Sequence, residues 1–188
     1  MYRVILMFAL LLSGCQSKPA PDAGWTAFGK GYYQLSDAWP GQSQQILQQV
    51  IWLDEQQQQQ QFIISALLQP EAVLLIAISP LGQELWRLNY QPDHQLTVSG
   101  MAPFNQPEFA KTLLAQMQIA LFSEEKVRSR LLQLTIQQSA NERGLYDKDG
   151  KQLLQITNSA QLAVGQSITI TAPIYSLKIT TLQQDFLP

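Results

Sequence analysis

The sequence has little material for catalysis or metal binding. Its 188 residues include one cysteine and one histidine, and charged residues make up only 14% of the chain. A single cysteine excludes an internal disulfide. A metal site needs three or four converging ligands, and no cluster of His, Cys, Asp and Glu has suitable spacing. We therefore expect no bound metal.

Patterns typical of cofactor-binding and nucleic-acid-binding proteins are also missing. The sequence contains no G-x-G-x-x-G, P-loop or nucleophile elbow, and no basic patch. His94 follows Asp93 in the segment PDHQ, which predicts a turn. We interpret these two residues as a solvated turn pair rather than as part of a catalytic triad. The sequence thus indicates a protein that is not an enzyme, needs no cofactor and binds no nucleic acid.

The N-terminus has the layout of a secretory signal. Arg3 precedes an apolar core, residues 4–12, which is shorter than the roughly 20 residues that span a bilayer. The ending LSGC, residues 12–15, resembles a bacterial lipobox. That resemblance implies that Cys15 is acylated and becomes the first residue of the mature chain. The alternative is an ordinary secretory signal whose cysteine is removed or left free.

The residues after Cys15 predict a membrane and a tether. Gln16 follows the cysteine, and by resemblance to enterobacterial lipoproteins the absence of Asp there implies the outer membrane. The polar segment QSKPAPDAG is rich in Pro and Ala, as flexible tethers are. We predict a signal peptide at residues 1–14, a lipid-anchored tether at 15–24 and a single domain at 25–188. Of the charged residues, 11 basic and all 14 acidic ones remain in the mature chain, so its side-chain charge is −3.

Hydrophobic patterning predicts strands before and after a helical insertion. Alternation or continuous apolar character indicates strands at residues 44–54, 61–68, 72–79, 84–91, 95–100, 132–139, 166–172 and 175–182. The glutamine run at 56–61 is interpreted as a solvated hairpin loop. Asp149 and Gly150 lie between two alternating segments and predict a hairpin turn.

Helical spacing begins after Pro107. Phe109, Leu113 and Met117 recur at intervals of four, and Asn105 is a candidate cap. A second short helix is predicted from Ser123 to residue 132. The order of strands, helices and strands predicts an α+β domain, and a sheet of this many strands tends to curl. We expect the helices to cover its concave face.

Several predicted strands are apolar on both faces, which allows two interpretations. An open curved sheet covered by helices can leave an apolar hollow that an acyl chain fills. Alternatively, both faces are filled core. Strand parity and helical spacing select the candidate cavity residues Val50, Trp52, Trp86, Leu88, Tyr90, Leu113 and Met117.

The turn in the segment AISPLGQELWRL has an unusual leucine. Leu81 lies between Pro80 and Gly82, two residues that favour a tight turn. Turns are normally polar. Leu81 is therefore either held out from the protein or folded back onto the core.

The lipobox, the strand meander, the SPLG turn, the helical insertion and the final strands together resemble the LolB family. Members of that family are outer-membrane receptors that accept lipoproteins from the periplasmic carrier LolA. More closely, the chain is similar to a family of uncharacterised proteobacterial lipoproteins associated with aryl polyene gene clusters. The resemblance implies an unclosed β-barrel with a helical lid and acyl chains inside. It also implies that Pro80, Leu81 and Gly82 form a membrane-insertion loop.

Two departures from LolB bear on the cargo. Tyr175 stands in the final strand region where LolB proteins carry tryptophan, and the helical insertion lacks their Gly/Pro-rich segment. We expect a monomeric, non-catalytic lipoprotein that places a lipid, an aryl polyene lipid or a lipoprotein into the outer membrane. A LolA-like carrier is the implied partner. The alternative is a lipid-anchored structural or interaction protein with a filled core that recruits an envelope biosynthetic partner.

Overall fold

Two antiparallel sheets and two helices make up the part of the protein that the structure describes. The structure is a computed structural model, and it describes residues 24–158, 160 and 162–188. The predicted signal peptide, Cys15 and the tether up to residue 23 lie outside the described residues.

The helices and strands cover most of these residues. In chain order they are β1 (Trp25–Phe28), β2 (Gly31–Gln34), β3 (Gln44–Asp54), β4 (Gln59–Gln69), β5 (Ala72–Ile78), β6 (Glu84–Gln91), β7 (Gln95–Gly100), α1 (Pro107–Leu121), α2 (Glu124–Arg128), β8 (Leu131–Leu132), β9 (Leu134–Gln138), β10 (Glu142–Asp147), β11 (Gln152–Thr157), β12 (Ser167–Ala172) and β13 (Tyr175–Phe186).

The larger sheet has ten strands in the order β7-β6-β5-β4-β3-β13-β12-β11-β10-β9. Every neighbouring pair is antiparallel. The long pairing of β13 with β3 joins the two halves of the chain. Within the described residues, the edge strands β7 and β9 do not pair with each other, so the sheet is open.

Helix α1 lies across the inner face of this sheet. It contacts β7 at one edge. Near the opposite edge, Arg143 of β10 donates hydrogen bonds to the backbone carbonyls of Ile119 and Phe122 at the C-terminal end of α1. One helix reaches strands near both edges only because the sheet curls around it. The predicted α+β class is confirmed, with an unclosed antiparallel sheet and a helical lid.

The helix boundaries correct two details of the sequence prediction. Asn105 is not the cap of α1, because its amide donates to the carbonyl of Gly100 at 2.9 Å and Gln106 occupies the N-cap without a side-chain bond. Ser123 does cap α2, accepting from the backbone N–H of Lys126 at 3.3 Å. The second helix ends at Arg128 rather than at residue 132, because β8 follows and pairs with β2.

A smaller sheet, β1-β2-β8, was not predicted. It packs on the side of α1 away from the cavity described below, and one buried glutamine links them. The side-chain oxygen of Gln118 accepts from the backbone N–H of Ser36 at 2.9 Å and from the Tyr33 hydroxyl at 3.3 Å. Its amide nitrogen donates to the carbonyl of Ser36 at 3.0 Å. The helix is therefore held between two sheets.

Candidate functional site

A cavity of about 80 Å³ lies between α1 and the inner face of the large sheet. One water needs about 10–15 Å³ on this measure, so the cavity has room for several groups of that size. Sixteen of its eighteen lining residues are apolar and none is charged. The lining residues are Gln48, Val50, Trp52, Phe62, Ile64, Leu75, Trp86, Phe104, Leu113, Gln116, Met117, Ala120, Leu121, Leu162, Ile168, Ile170, Leu177 and Ile179.

Strand alternation explains why these side chains meet. In a strand, successive side chains point to opposite faces, so every second residue faces α1. On β12 and β13 the inward residues pair across the ladder, Ile168 with Ile179 and Ile170 with Leu177. Both pairs line the cavity. They belong to segments that were predicted as strands, so strand parity alone would have selected them.

Five of the seven residues selected from the sequence line this cavity: Val50, Trp52, Trp86, Leu113 and Met117. The other two, Leu88 and Tyr90, share the inward face of β6 with Trp86 and are fully buried, but they do not line the cavity. The Tyr90 hydroxyl instead donates to the Asp37 carboxylate at 3.0 Å.

An aromatic cluster forms part of the cavity wall. Phe104 lies in the segment between β7 and α1 and stacks on Trp86 with ring centroids 5.4 Å apart. It also meets Trp52 edge-on at 5.6 Å, and Trp52 stacks on Tyr175 at 4.3 Å. No periodic pattern includes Phe104, so the sequence offered no signal for its role. Such ring pairs stabilise beyond their buried area.

Two glutamines are the polar members of the cavity wall, and both have partners. The Gln48 amide donates to the Thr181 hydroxyl at 3.4 Å. The Tyr175 hydroxyl lies 2.7 Å from the amide nitrogen and 2.9 Å from the amide oxygen of Gln116. Burial raises the pKa of Tyr175, and the hydrogen bond with Gln116 lowers it by a smaller amount. The net result is a pKa of about 12. The hydroxyl is therefore neutral at physiological pH, and the wall carries no charge.

The loop between β5 and β6 displays Leu81 on the surface. The side chain is 88% exposed, so it does not fold back onto the core. Gly82 donates its N–H to the carbonyl of Ser79 at 2.9 Å and has a φ of +83°, which glycine adopts without strain. The Ser79 hydroxyl accepts from the backbone N–H groups of Leu81 and Gln83.

The β10–β11 loop has the same hydrogen-bonding pattern with a polar tip. Gly150 donates to the carbonyl of Asp147 at 3.0 Å and has a φ of +79°. The Asp147 carboxylate accepts from the N–H groups of Asp149 and Lys151, at 2.9 Å each. Asp149 therefore holds the place that Leu81 holds in the other loop. This confirms the predicted hairpin turn and shows that such a loop does not require an apolar tip.

His94 lies in a hydrogen-bonded cluster away from the cavity. Its Nδ1 is 2.7 Å from the Asp37 carboxylate and 2.9 Å from the Tyr90 hydroxyl. Both residues lie in the predicted turn and Asp93 is exposed, but His94 is partly buried and pairs with Asp37, so the interpretation as a solvated pair is wrong for His94. Burial is the main cause that raises the pKa of the Tyr90 hydroxyl, and the hydrogen bond to Asp37 raises it further. The cluster joins the β6–β7 turn to the segment after β2.

The described residues contain neither a metal-binding cluster nor a membrane-spanning helix. Among residues 24–158, 160 and 162–188, no three His, Cys, Asp or Glu side chains are grouped so that they could hold a metal ion. In the same described part of the chain, no helix has the length and apolar character needed to cross a membrane.

The fold and the cavity define a class of protein with an open antiparallel sheet and an apolar space beneath a helical lid. Residues 45–183 match the family described as "Protein of unknown function (DUF3261)", and the chain belongs to that family. The matched region contains α1 and almost the whole ten-stranded sheet. No curated protein sequence matches the chain. Among solved structures, that of a LolA superfamily protein from Nitrosomonas europaea is similar, with a TM-score of 0.42, 8% identity, and coverage of 81% of this chain and 89% of that one.

Proposed function

We propose that this protein is a non-catalytic, lipid-anchored outer-membrane lipoprotein that binds acyl chains and helps to insert a lipid into the membrane. The cargo is a lipid, an aryl polyene lipid or a lipoprotein, and a LolA-like periplasmic carrier is its donor. One observation carries the proposal: the space beneath α1 is apolar and uncharged. Burying a hydrocarbon chain gains about 0.8 kcal/mol per CH₂ group.

The lid has residues suited to adjusting the size of this space. Leu113, Met117 and Leu121 of α1 line the cavity and are only partly buried. The unbranched methionine side chain adapts readily to differently shaped ligands. A chain longer than the present cavity enters when these side chains, which have solvent on one side, move outward.

Leu81 and the lipid anchor supply the membrane step of the proposal. Acylated Cys15 would hold the protein at the outer membrane through nine tether residues, which span at most about 30 Å. Leu81, exposed on a hydrogen-bonded hairpin loop, is suited to enter lipid and assist release of the cargo. The β10–β11 loop supports this role, because the leucine is not needed to form such a turn.

The ligand itself provides the first test. The chain from Ser17 onward, which contains every described strand and helix, is purified from the periplasm and analysed by native mass spectrometry. We expect a lipid or polyene at near-stoichiometric occupancy, identified after extraction. A ligand-free mass, together with no uptake of a fluorescent acyl ester, would contradict the proposal.

A Leu81→Asp variant tests the membrane step. We expect transfer of a bound fluorescent acyl ester to phospholipid vesicles to slow by about tenfold or more, because aspartate enters lipid unfavourably. The free energy of unfolding should change by no more than about 0.5 kcal/mol, since the side chain is exposed and Asp149 holds the equivalent position in the β10–β11 loop. Vesicle-transfer kinetics and urea unfolding measure the two quantities.

Val164→Asp is the matched control, because Val164 is 59% exposed and lies in a different loop. It introduces the same charge and should transfer at the wild-type rate. A wild-type rate for Leu81→Asp, or equal slowing in both variants, would contradict the role of Leu81.

A second candidate, a lipid-anchored interaction protein that recruits an envelope biosynthetic enzyme, is favoured by the outer face of the sheet. Aliphatic side chains on β3, β4 and β5 point away from α1 and are partly exposed there: Leu47, Ile51, Ile63, Leu67, Leu74, Ile76 and Ile78. The register places Ile63 beside Ile78 and Leu67 beside Leu74. The ligand extraction above separates the candidates, because an interaction protein with a filled core binds no acyl ester.

A further inference from the structure

One residue of the cavity wall, Trp86, carries a buried hydrogen-bond donor that lacks an acceptor within the described part of the chain. Trp86 lines the cavity and is 2% exposed, and its indole nitrogen has no hydrogen-bond partner among the described residues. An indole N–H can only donate. Buried donors in folded proteins nearly always have an acceptor, and one without a partner costs free energy.

The other groups around the cavity restrict the kind of acceptor that fits. The amides of Gln48 and Gln116 carry no charge, and the lining includes no basic side chain. An ionised carboxylate or phosphate placed beside Trp86 would therefore be desolvated without a counter-charge, which is strongly unfavourable. A neutral carbonyl oxygen lacks this penalty and accepts one hydrogen bond.

We propose that the cavity selects a neutral acyl ester or amide, with Trp86 donating its indole N–H to the carbonyl oxygen. This inference rests on the proposed acyl-chain binding and specifies its ligand class: an apolar chain with an uncharged carbonyl, rather than a free fatty acid or a plain hydrocarbon. Phe104 covers one face of the indole ring by stacking. The N–H lies in the plane of the ring, so the ligand carbonyl would have to approach at the ring edge. Trp86 is thus a specificity-determining residue.

Trp39 provides a matched control within the same chain. Its indole nitrogen is the other buried side-chain donor without a partner among the described residues. Trp39 is 5% exposed and packs edge-on against Phe122, but it does not line the cavity. Replacing either tryptophan with phenylalanine removes one N–H and keeps an aromatic ring.

The experiment compares ligands of similar length on the chain from Ser17 onward. Dissociation constants of undecane, methyl decanoate and decanoate are measured by displacement of the neutral dye N-phenyl-1-naphthylamine. In Trp86→Phe we expect the affinity of methyl decanoate relative to undecane to fall by about tenfold, while undecane itself still binds. Because both ligands are measured on each variant, a general loss of binding cancels. Trp39→Phe should keep the wild-type ratio.

Decanoate at neutral pH should bind the wild-type protein at least tenfold more weakly than methyl decanoate. An unchanged ratio in Trp86→Phe, an equal fall in Trp39→Phe, or equal affinity for decanoate would overturn the inference while leaving acyl-chain binding intact. If no ligand binds the wild-type protein, the proposed function fails and the inference fails with it.

An infrared measurement keeps the test valid if Trp86→Phe does not fold. The ester carbonyl of methyl decanoate bound to the wild-type protein should absorb at lower frequency than in an alkane, because it accepts a hydrogen bond. A carbonyl band at the alkane position would overturn the inference without any variant.

Discussion

A Met117→Trp variant is expected to bind acyl esters at least tenfold more weakly than the wild-type protein while remaining folded. Met117 lies in the C-terminal half of α1 and lines the cavity. The larger indole group would occupy much of the roughly 80 Å³ that the ligand needs. Because the existing cavity takes up most of the added volume, overpacking should cost no more than about 1–3 kcal/mol.

Dye displacement by methyl decanoate and urea unfolding would measure these two effects. Met101→Trp is the control, because Met101 is 46% exposed and does not line the cavity. That variant should bind as the wild type does. Undiminished binding by Met117→Trp would show that the acyl chain lies elsewhere and would remove the main support for the proposed function.

An Arg143→Met variant is expected to lose about 3 kcal/mol of unfolding free energy. Arg143 is 2% exposed, and its guanidinium donates to the carbonyls of Ile119 and Phe122 and to the side chain of Gln138. The last turn of α1 contains no basic residue of its own, so this cation from β10 complements the negative end of the helix dipole. Methionine would leave these carbonyls buried without a donor.

Two further variants separate charge from hydrogen-bond geometry, with urea unfolding as the measurement. Arg143→Lys keeps the charge but not the planar fork of donors, so its stability should be intermediate. Arg87→Met removes an exposed arginine that pairs with Glu84, and its stability should be nearly unchanged. Burial lowers the pKa of Arg143, yet arginine stays charged at neutral pH. Equal stability of Arg143→Met and wild type would show that Arg143 does not hold the lid.

Much of the site was predictable because its residues belong to regular elements. Residues at intervals of four place Leu113 and Met117 together on α1, and alternation places Val50 with Trp52 on β3. Periodicity reports only which face of an element is buried. It could not separate Trp86, which lines the cavity, from Leu88 on the same face of β6, because that difference depends on what lies opposite each residue.

Partners far apart in the chain were not predictable. Strand β8 has two residues, too few for any pattern, and exists because it pairs with β2 about one hundred residues earlier. Asp93 is the acidic residue next to His94 in the sequence. The carboxylate that His94 contacts belongs to Asp37, in a different part of the chain. Gln118 and Ser36 are 82 residues apart in the chain, and Arg143 is 21 residues from Phe122, so neither link gives a local signal.

The sequence by itself determined the alternation of the strands, the helical spacing of α1 and the turn that carries Leu81, because each depends on neighbouring residues. Acylation of Cys15 and the outer-membrane location stay predictions from the sequence. Tertiary structure decided the small sheet, the exposure of Leu81, the cavity and the unpaired indole of Trp86. Those features depend on how the two sheets and α1 pack together. Packing brings together side chains that are far apart in the chain, and no local sequence pattern reveals such contacts.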